Sequence, residues 1–220
     1  KDSAYPVLIN AFGSYERINL AFEVKNLDCI ADDISKFLDI AGYSGILNKV
    51  KSIPRLARLA KIFPVKVNKA PCQEIIEEPD LNTLPILKCW PNDGGKYITL
   101  PIVITKDPET GIQNMGMYRM QVFNSTTTGM HWHLHKDGKR IYEKYKKMGD
   151  RMPVSVALGC DPATIYSAIA PLPEEIDEVL FAGFLRKSPL QIVKSITNDI
   201  YVPSNAEFIL EGYIDVNELR

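Results

Sequence analysis

The chain has 220 residues, of which 45% are hydrophobic and 24% are charged, with 26 basic residues against 27 acidic ones. This length supports the core of one large domain or two small ones, and the composition excludes collagen-like, low-complexity and disordered chains. A net charge of -1 argues against an electrostatic nucleic-acid binder. No apolar run approaches the ~18 residues of a membrane helix, so we expect no membrane span.

The cysteines and the chain ends indicate the cellular context. Cys29, Cys72, Cys89 and Cys160 form no CxxC pair and match no zinc spacing. A core of this size does not need disulfides, and no signal peptide is recognisable, so we expect free, mostly buried thiols in a cytoplasmic protein. The chain starts at Lys1 and stops at Arg220, from which we expect it to be a piece of a longer protein.

The first third of the chain predicts a mixture of one strand and helices. The apolar run Tyr5–Phe12 predicts a buried strand, and the spacing of apolar residues in Asp28–Ile40 predicts a helix. Ile53–Phe63 is a second amphipathic helix candidate. Near residue 65 the sequence pattern changes from helix-like spacing to short strand-like runs. We therefore expect a small N-terminal α/β lobe over residues 1–70 and a second domain over 71–220.

The second domain predicts antiparallel strands followed by helices. Runs rich in β-forming residues, separated by polar loops, predict a meander over residues 97–135; its strands are Tyr97–Thr105, Met117–Phe123 and Met130–His135. Further predicted elements are a helix over Lys139–Met148 ended by Gly149, a helix start at Asp161-Pro162, and a helix over Pro173–Leu185. The fold class predicted from these elements is α+β.

All three histidines of the chain fall in one short segment. His131, His133 and His135 would share one face of a strand. This spacing suggests either a metal triad or a polar face that contacts ligand or solvent. Alternate residues on one strand are about 6.5–7 Å apart, so the outer pair cannot reach one ion, and we disfavour a site made of three histidines. One histidine joined by ligands from other elements remains open.

Two other segments carry groups that could bind a ligand. Residues 114–119 supply an amide oxygen, a glycine, an aromatic ring and the guanidinium of Arg119, which suits phosphate or carboxylate. An arginine on a strand is more often a surface residue. The acidic run that includes Glu178 is expected to be mostly solvated, although one member turned inward could bind a cation.

Several ordered motifs resemble the UbiD family of decarboxylases. The resemblance covers the chain well from about Pro64 to its end, and the earlier part more loosely. The motifs that carry it are QNMGMYRMQV (113–122), TTGMHWHLHKDG (127–138), PVSVALGCDPA (153–163), NDIYVP (198–203) and EFILEG (207–212).

The resemblance implies a carboxy-lyase that decarboxylates aromatic or α,β-unsaturated carboxylic acids reversibly and without oxidation. It implies prenylated FMN, a divalent metal (usually Mn²⁺), often K⁺, and a split β-barrel of the flavin-reductase type that holds the flavin. It also implies a flavin prenyltransferase that supplies the cofactor, a homo-oligomer, and a 4-hydroxybenzoate-type precursor of ubiquinone or menaquinone as one substrate class. The C-terminal domain of the family and its two catalytic glutamates are expected to lie beyond this chain.

The resemblance also assigns roles to individual residues. Arg119 matches the arginine that contacts the substrate carboxylate, and Lys136 is expected to contact the cofactor phosphate. The matched metal ligands are Asn114, His135 and Glu178. The matched cofactor-binding residues are Asn114, Met117, Tyr118, Arg119, His131, Trp132, His133, His135 and Lys136.

Two alternatives to the decarboxylase remain open. One is a split-barrel module that binds FMN without catalysis, and this reading is favoured for the 220 residues alone. The weaker alternative is a flavin reductase, for which the sequence offers no GxGxxG nicotinamide fingerprint. Glu207 and Glu211 belong to a predicted strand and are assigned no catalytic role.

Overall fold

The computed structural model describes residues 4–42, 62–132, 136–173 and 176–218, the side chains of 38–42 excepted. The chain divides into two units. The first consists of Lys1–Val7, Lys66–Cys160 and Ile192–Arg220, and the second of Leu8–Val65 and Asp161–Gln191. The second unit therefore takes in a segment from the later half of the chain. Two domains that meet at residue 70 stay a prediction.

A four-stranded antiparallel sheet forms the centre of the first unit. Its strands are β3 (Ile102–Lys106), β4 (Gln113–Met117), β7 (Met152–Leu158) and β10 (Phe208–Ile214), in the order β10-β7-β3-β4. The inner strand β3 is rich in β-branched residues, and Ile102, Val103 and Ile104 are completely buried. Ile102 pairs with Met117, so the last residue of β4 lies opposite the buried first residue of β3.

A second antiparallel sheet in the first unit has the order β2-β5-β6. Its strands are β2 (Tyr97–Ile98), β5 (Met120–Val122) and β6 (Thr128–Met130). The predicted antiparallel pairing is confirmed, but one continuous meander is wrong because its strands belong to two sheets. The predicted strand Met117–Phe123 is interrupted at Tyr118 and Arg119, where the chain passes from one sheet to the other.

A third sheet has the order β1-β8-β9, with β1 (Val65–Val67), β8 (Gln191–Lys194) and β9 (Tyr201–Pro203). A polar network within the first unit fixes the loop between β8 and β9. Ser155 and Ser195, both buried, have their Oγ atoms 2.9 Å apart, and Asn198 Nδ2 donates to Ser155 Oγ at 3.0 Å. The hydroxyls of these buried serines are therefore satisfied by one another and by Asn198.

The helices begin and end at residues with clear local signals. In the first unit, α3 (Asp137–Met148) ends at Gly149, whose φ of 74° is left-handed, as the sequence predicts. In the second unit, α1 spans Tyr15–Ala21 and α2 spans Asp28–Gly42, which confirms the helix predicted from residue 28.

Two further helices of the second unit have aspartate N-caps. Asp161 accepts the Thr164 N–H at the start of α4 (Pro162–Ser167), as predicted. Asp177 caps α5 (Glu178–Arg186), which begins later than predicted. One core cluster of this unit contains Phe37, Ile62, Ile176 and Phe181.

Some sequence predictions are wrong. Residues 6–10 form no strand, and Leu8 and Ile9 are 85% and 65% exposed. All four cysteines are free as expected, but Cys29 and Cys89 are exposed and only Cys160 is fully buried. Most of the predicted helix Ile53–Phe63 lies outside the described residues.

The class of the fold is mixed α and β. The sheets formed by the described residues do not close into a barrel. In that same part of the chain, none of the helices combines the length and the apolar composition that crossing a membrane requires.

The ion pairs of Asp199 predict a pH dependence of stability. Hydrogen bonds from Lys106 Nζ at 2.5 Å and Lys194 Nζ at 2.9 Å lower the pKa of Asp199 from 3.8 to about 2. A pKa lowered by folding contributes stability above the unfolded value, and that contribution is lost as the pH falls through the folded value.

We therefore expect Asp199→Asn to lower the urea midpoint slightly at pH 6, because the pairs are exposed. The difference from wild type should vanish as the pH falls from about 4 to 2. Exposed Asp150, changed to asparagine, controls for net charge. A difference that stays constant down to pH 2 would contradict the assignment.

Candidate functional site

A cleft of about 1730 Å³ lies within the first unit. Its wall is formed by residues 71–84, by the end of β4, by β5, by residues 126–132, by the N-terminus of α3 and by β10. Six of the residues singled out in the sequence line it together: Met117, Tyr118, Arg119, His131, Trp132 and Lys136. The fold thus brings residues from two separate motifs to one concave surface, which is typical of a ligand site.

Tyr118 and Arg119 reach the cleft because the chain leaves one sheet and enters another there. β4 ends at Met117 and β5 begins at Met120, so neither residue belongs to a strand. The side chain of Tyr118 is buried in the core and its ring meets the edge of Trp132, with centroids 6.0 Å apart. Its neighbour Arg119 remains half exposed at the cleft.

Two neighbouring side chains hold the guanidinium of Arg119. The Cζ atom lies 4.3 Å from the centroid of the Tyr97 ring, a cation–π geometry. The Nη2 atom lies 3.7 Å from Oδ2 of Asp93, whose side chain is 17% exposed. A guanidinium placed in this way keeps donors for a carboxylate or phosphate.

Aromatic rings and lysines form the wall beside α3. Trp132 contacts Tyr142 at 5.7 Å between centroids, and Tyr118 Oη accepts the N–H of Gly138 at 3.4 Å. The indole N–H of Trp132 is buried and has no hydrogen-bond partner among the described residues. Lys136 occupies the N-cap position of α3, where its charge adds to the positive end of the helix dipole.

The three predicted metal ligands come from separate segments of the chain, and their grouping into one site stays a prediction. Asn114 lies on β4, directly opposite Thr105 of β3, and does not line the cleft. Glu178 is the first residue of α5 in the second unit. His133 and His135 lie outside the described residues. Within the described ranges, no three histidine, cysteine or acidic side chains cluster as a metal site would require.

The alternation of histidines on one strand is not observed. β6 ends at Met130, and His131 and Trp132 follow it without strand structure. The argument about a shared strand face therefore does not apply to His131. Trp132 lines the same cleft as His131.

Glu211 lines the cleft and has a visible structural task. Its carboxylate accepts the N–H groups of Ile196 at 2.9 Å and Thr197 at 2.6 Å, and the hydroxyl of Thr197 at 2.6 Å. These bonds tie the loop after β8 to β10. The Glu211 carboxylate thus holds this loop in place through three hydrogen bonds.

Asp93 and Tyr97 were missed as site residues in the sequence. Asp93 lies in an Asn-Asp-Gly-Gly turn and Tyr97 at the start of a strand, and both patterns have ordinary structural explanations. Their contacts with Arg119 depend on the pairing of β2 with β5. No local sequence signal reveals such a tertiary contact.

The chain is similar to one known protein family and to curated proteins of two organisms. The profile of the family described as 3-octaprenyl-4-hydroxybenzoate carboxy-lyase, Rift-related domain (UbiD), matches residues 64–220. An uncharacterized protein of Archaeoglobus fulgidus is 49% identical over 216 residues, which are 98% of this chain and 44% of that protein. One from Aquifex aeolicus is 44% identical and covers 97% of this chain and 44% of its own length. The chain thus spans less than half the length of these curated relatives.

Three solved structures are similar to this chain. One is the UbiD-class enzyme HmfF from Pelotomaculum thermopropionicum in complex with FMN, with 27% identity and a TM-score of 0.78, covering 97% of this chain and 44% of that one. Another is the vanillic acid decarboxylase of Sedimentibacter hydroxybenzoicus in closed form, with 27% identity and a TM-score of 0.78, covering 98% and 44%. An evolved dimeric HmfF in complex with prFMN also has a TM-score of 0.78 and 27% identity, covering 97% and 46%.

Proposed function

Because the chain belongs to the UbiD family, we propose that it supplies the flavin-binding part of a non-oxidative carboxy-lyase. The proposed substrates are aromatic or α,β-unsaturated carboxylic acids, with 4-hydroxybenzoate-type quinone precursors as one class. The observation that carries the proposal is the convergence of Met117–Arg119, His131, Trp132 and Lys136 on one cleft. The complexes of similar enzymes with FMN and prFMN support a flavin as its occupant.

The residues of the cleft suit prenylated FMN. A volume of about 1730 Å³ exceeds the ~300–1,000 Å³ of ordinary ligand pockets, so a flavin and a substrate have room together. The buried indole N–H of Trp132 is a donor that a flavin carbonyl could satisfy. Lys136 is suited to the cofactor phosphate, because ammonium is a compact cation and the helix end adds positive potential. When bound, the modified flavin supplies the electron sink for decarboxylation.

Arg119 is proposed to bind the substrate carboxylate. A guanidinium offers two parallel N–H donors that match the two carboxylate oxygens. It therefore orients the acid so that its C–C bond can break. As CO₂ leaves, the carboxylate charge disappears from beside Arg119, and the attraction that held the group weakens with it.

Asn114, His135 and Glu178 are proposed to bind Mn²⁺, and K⁺ is proposed as a second cation. An amide oxygen, an imidazole and a carboxylate together suit Mn²⁺ and leave positions for phosphate oxygen and water. The fit of these residues rests on the chemistry of this donor set. The metal would neutralise the cofactor phosphate.

Substitution of the proposed ligands should weaken metal-dependent cofactor retention. Loss of outer-sphere partners alone costs about 10- to 100-fold in metal affinity, so Asn114→Ala, His135→Ala and Glu178→Ala should each cost at least about that much. The measurement is Mn²⁺ and flavin content of the full-length protein after dialysis. Glu109→Ala, on an exposed loop, is the control. Unchanged occupancy in all three variants would refute the ligand assignment.

The proposal includes the architecture around the flavin. The antiparallel sheets of the first unit are proposed to belong to a split β-barrel of the flavin-reductase type, which the family resemblance implies. We also propose that the full-length protein is a homo-oligomer and receives its cofactor from a flavin prenyltransferase.

The test of the function is turnover by the full-length protein. It is co-produced with a flavin prenyltransferase and assayed for CO₂ release from 4-hydroxybenzoate, vanillate and cinnamate, with and without Mn²⁺. Release that requires the prenyltransferase supports the proposal. Holoenzyme that releases no CO₂ from any aromatic or unsaturated acid, and exchanges no labelled CO₂ into the products, would overturn it.

A second candidate is a flavin-binding module without turnover. The observation that favours it for these 220 residues is that they span less than half the length of the relatives, so catalytic groups can reside elsewhere. Titration of the chain with FMN and Mn²⁺, followed by an activity assay of the same sample, separates the two. Binding without CO₂ release by the chain, together with release by the full-length protein, fits a module that needs the rest of the enzyme.

A further inference from the structure

We propose that Asp93 and Tyr97 are positioning residues that hold the guanidinium of Arg119 in one place on the wall of the cleft. The inference rests on the proposed function, in which Arg119 binds the substrate carboxylate. It assigns a role to the Asn-Asp-Gly-Gly turn and to strand β2, neither of which carries chemistry of its own.

Arg119 needs such support because of where it lies. It follows the end of β4 and precedes β5, and its side chain is 51% exposed. A long side chain in that setting has many rotamers, and a substrate that fixes it must overcome the lost conformational entropy. The Tyr97 ring, 4.3 Å from Cζ, and Asp93 Oδ2, 3.7 Å from Nη2, restrict the guanidinium before any substrate arrives.

The two supports are themselves fixed. Asp93 Oδ2 accepts the Trp90 N–H at 3.1 Å, and the Asp93 N–H donates to the Trp90 carbonyl at 3.1 Å, so the turn closes on itself. Tyr97 Oη donates to Gln121 Oε1 at 3.1 Å, and these two residues are directly paired in the β2–β5 ladder. A binding group held by locked neighbours is preorganised for its ligand.

The carboxylate of Asp93 has a second consequence. When substrate is bound, Arg119 would contact two negative groups, and decarboxylation removes the charge of one of them. Asp93 then remains as the counter-ion, so the cation is not left unpaired in the cleft. Asp93 therefore has an electrostatic role in addition to restricting the side chain of Arg119.

The first test measures the restraint directly and needs no substrate. In the 220-residue chain, the ¹⁵Nε order parameter of Arg119 should fall in Asp93→Asn and in Tyr97→Leu. It should largely persist in Tyr97→Phe, which keeps the aromatic face. Asp199→Asn, which removes a carboxylate from another ion pair of the same unit, should leave it unchanged. Equal order parameters in wild type, Asp93→Asn and Tyr97→Leu would overturn the proposal.

The second test is a double-mutant cycle on the full-length holoenzyme with benzoate as the probe, followed by flavin absorbance. Asp93→Asn should raise the benzoate Kd about tenfold when Arg119 is present, and should have no effect in an Arg119→Leu background. A benzoate Kd that Asp93→Asn changes equally in both backgrounds contradicts positioning through Arg119. If Arg119→Leu itself leaves the Kd unchanged, the proposed carboxylate role of Arg119 fails instead.

Discussion

Arg119→Ala in the full-length holoenzyme is expected to lower kcat/KM for an aromatic carboxylic acid by roughly 10²–10³-fold. The substitution removes the charged donors that orient the carboxylate, and losing one partner of a hydrogen-bonded charge pair that flavin and substrate would shield from water costs ~3–4 kcal/mol. Part of the loss should appear in kcat, because an acid that is bound without orientation seldom reaches the reactive geometry. Steady-state CO₂ release over a range of substrate concentrations separates the two parameters.

The chain offers a matched control for this variant. The Arg151 guanidinium lies 4.2 Å from the Tyr213 ring centroid and 3.8 Å from a carboxylate oxygen of Asp215, so its contacts resemble those of Arg119. Arg151 does not line the cleft. Arg151→Ala should therefore keep kcat/KM within about twofold of wild type, as surface substitutions generally do. Full activity of Arg119→Ala would refute the role given to this arginine.

Gly183→Ala should lower the free energy of unfolding of the second unit by roughly 1–3 kcal/mol. Gly183 is buried in α5, and the backbone carbonyl oxygen of Ile62 lies within the volume that a Cβ atom would occupy. Because the obstacle is backbone, it cannot move aside as a flexible side chain does. The opposite sign would follow from helix propensity alone, since alanine favours a helix over glycine by ~1 kcal/mol.

The measurement is urea denaturation followed by far-UV circular dichroism. Gly212→Ala is the control, because no atom of the described residues, its two chain neighbours aside, lies within 4 Å of its Cβ position. It should change the midpoint little, since a methyl group there meets no neighbour. A Gly183→Ala protein as stable as wild type would mean that α5 can shift away from Ile62 at no cost.

Local signals in the sequence predicted the local features well. The Asp161-Pro162 pair predicted a capped helix, and Gly149 predicted the end of α3; both occur because the capping chemistry involves only neighbouring residues. The family resemblance singled out residues from two motifs that line one cleft. The motifs themselves carry no information on how far apart these residues lie in the fold.

Features that depend on tertiary structure could not be predicted in this way. The run from Met117 to Phe123 contains no glycine, proline, asparagine or aspartate that would interrupt a strand, so nothing in it marks the passage between two sheets at Tyr118 and Arg119. The predicted strand Met130–His135 is wrong at His131 and Trp132 because β6 ends at Met130, where pairing with β5 stops. Asp93 supports Arg119 only because the strands that follow its turn are paired.

If flavin binds in the cleft of the first unit, the two tryptophans of the chain should respond to it differently. Trp132 lines the cleft, whereas Trp90 is 72% exposed and does not line it. Two variants, Trp90→Phe and Trp132→Phe, each leave one tryptophan as the reporter. Each is titrated with FMN in the presence of Mn²⁺, and tryptophan fluorescence is recorded.

Flavin bound in the cleft should quench tryptophan fluorescence saturably at one FMN per chain. The fractional loss of fluorescence should be larger in Trp90→Phe, where Trp132 is the reporter. Stacking or close contact with the flavin ring quenches an adjacent indole more than a distant one. Saturable binding that quenches Trp90 as strongly as Trp132, or no saturable quenching in either variant, would contradict flavin binding in this cleft.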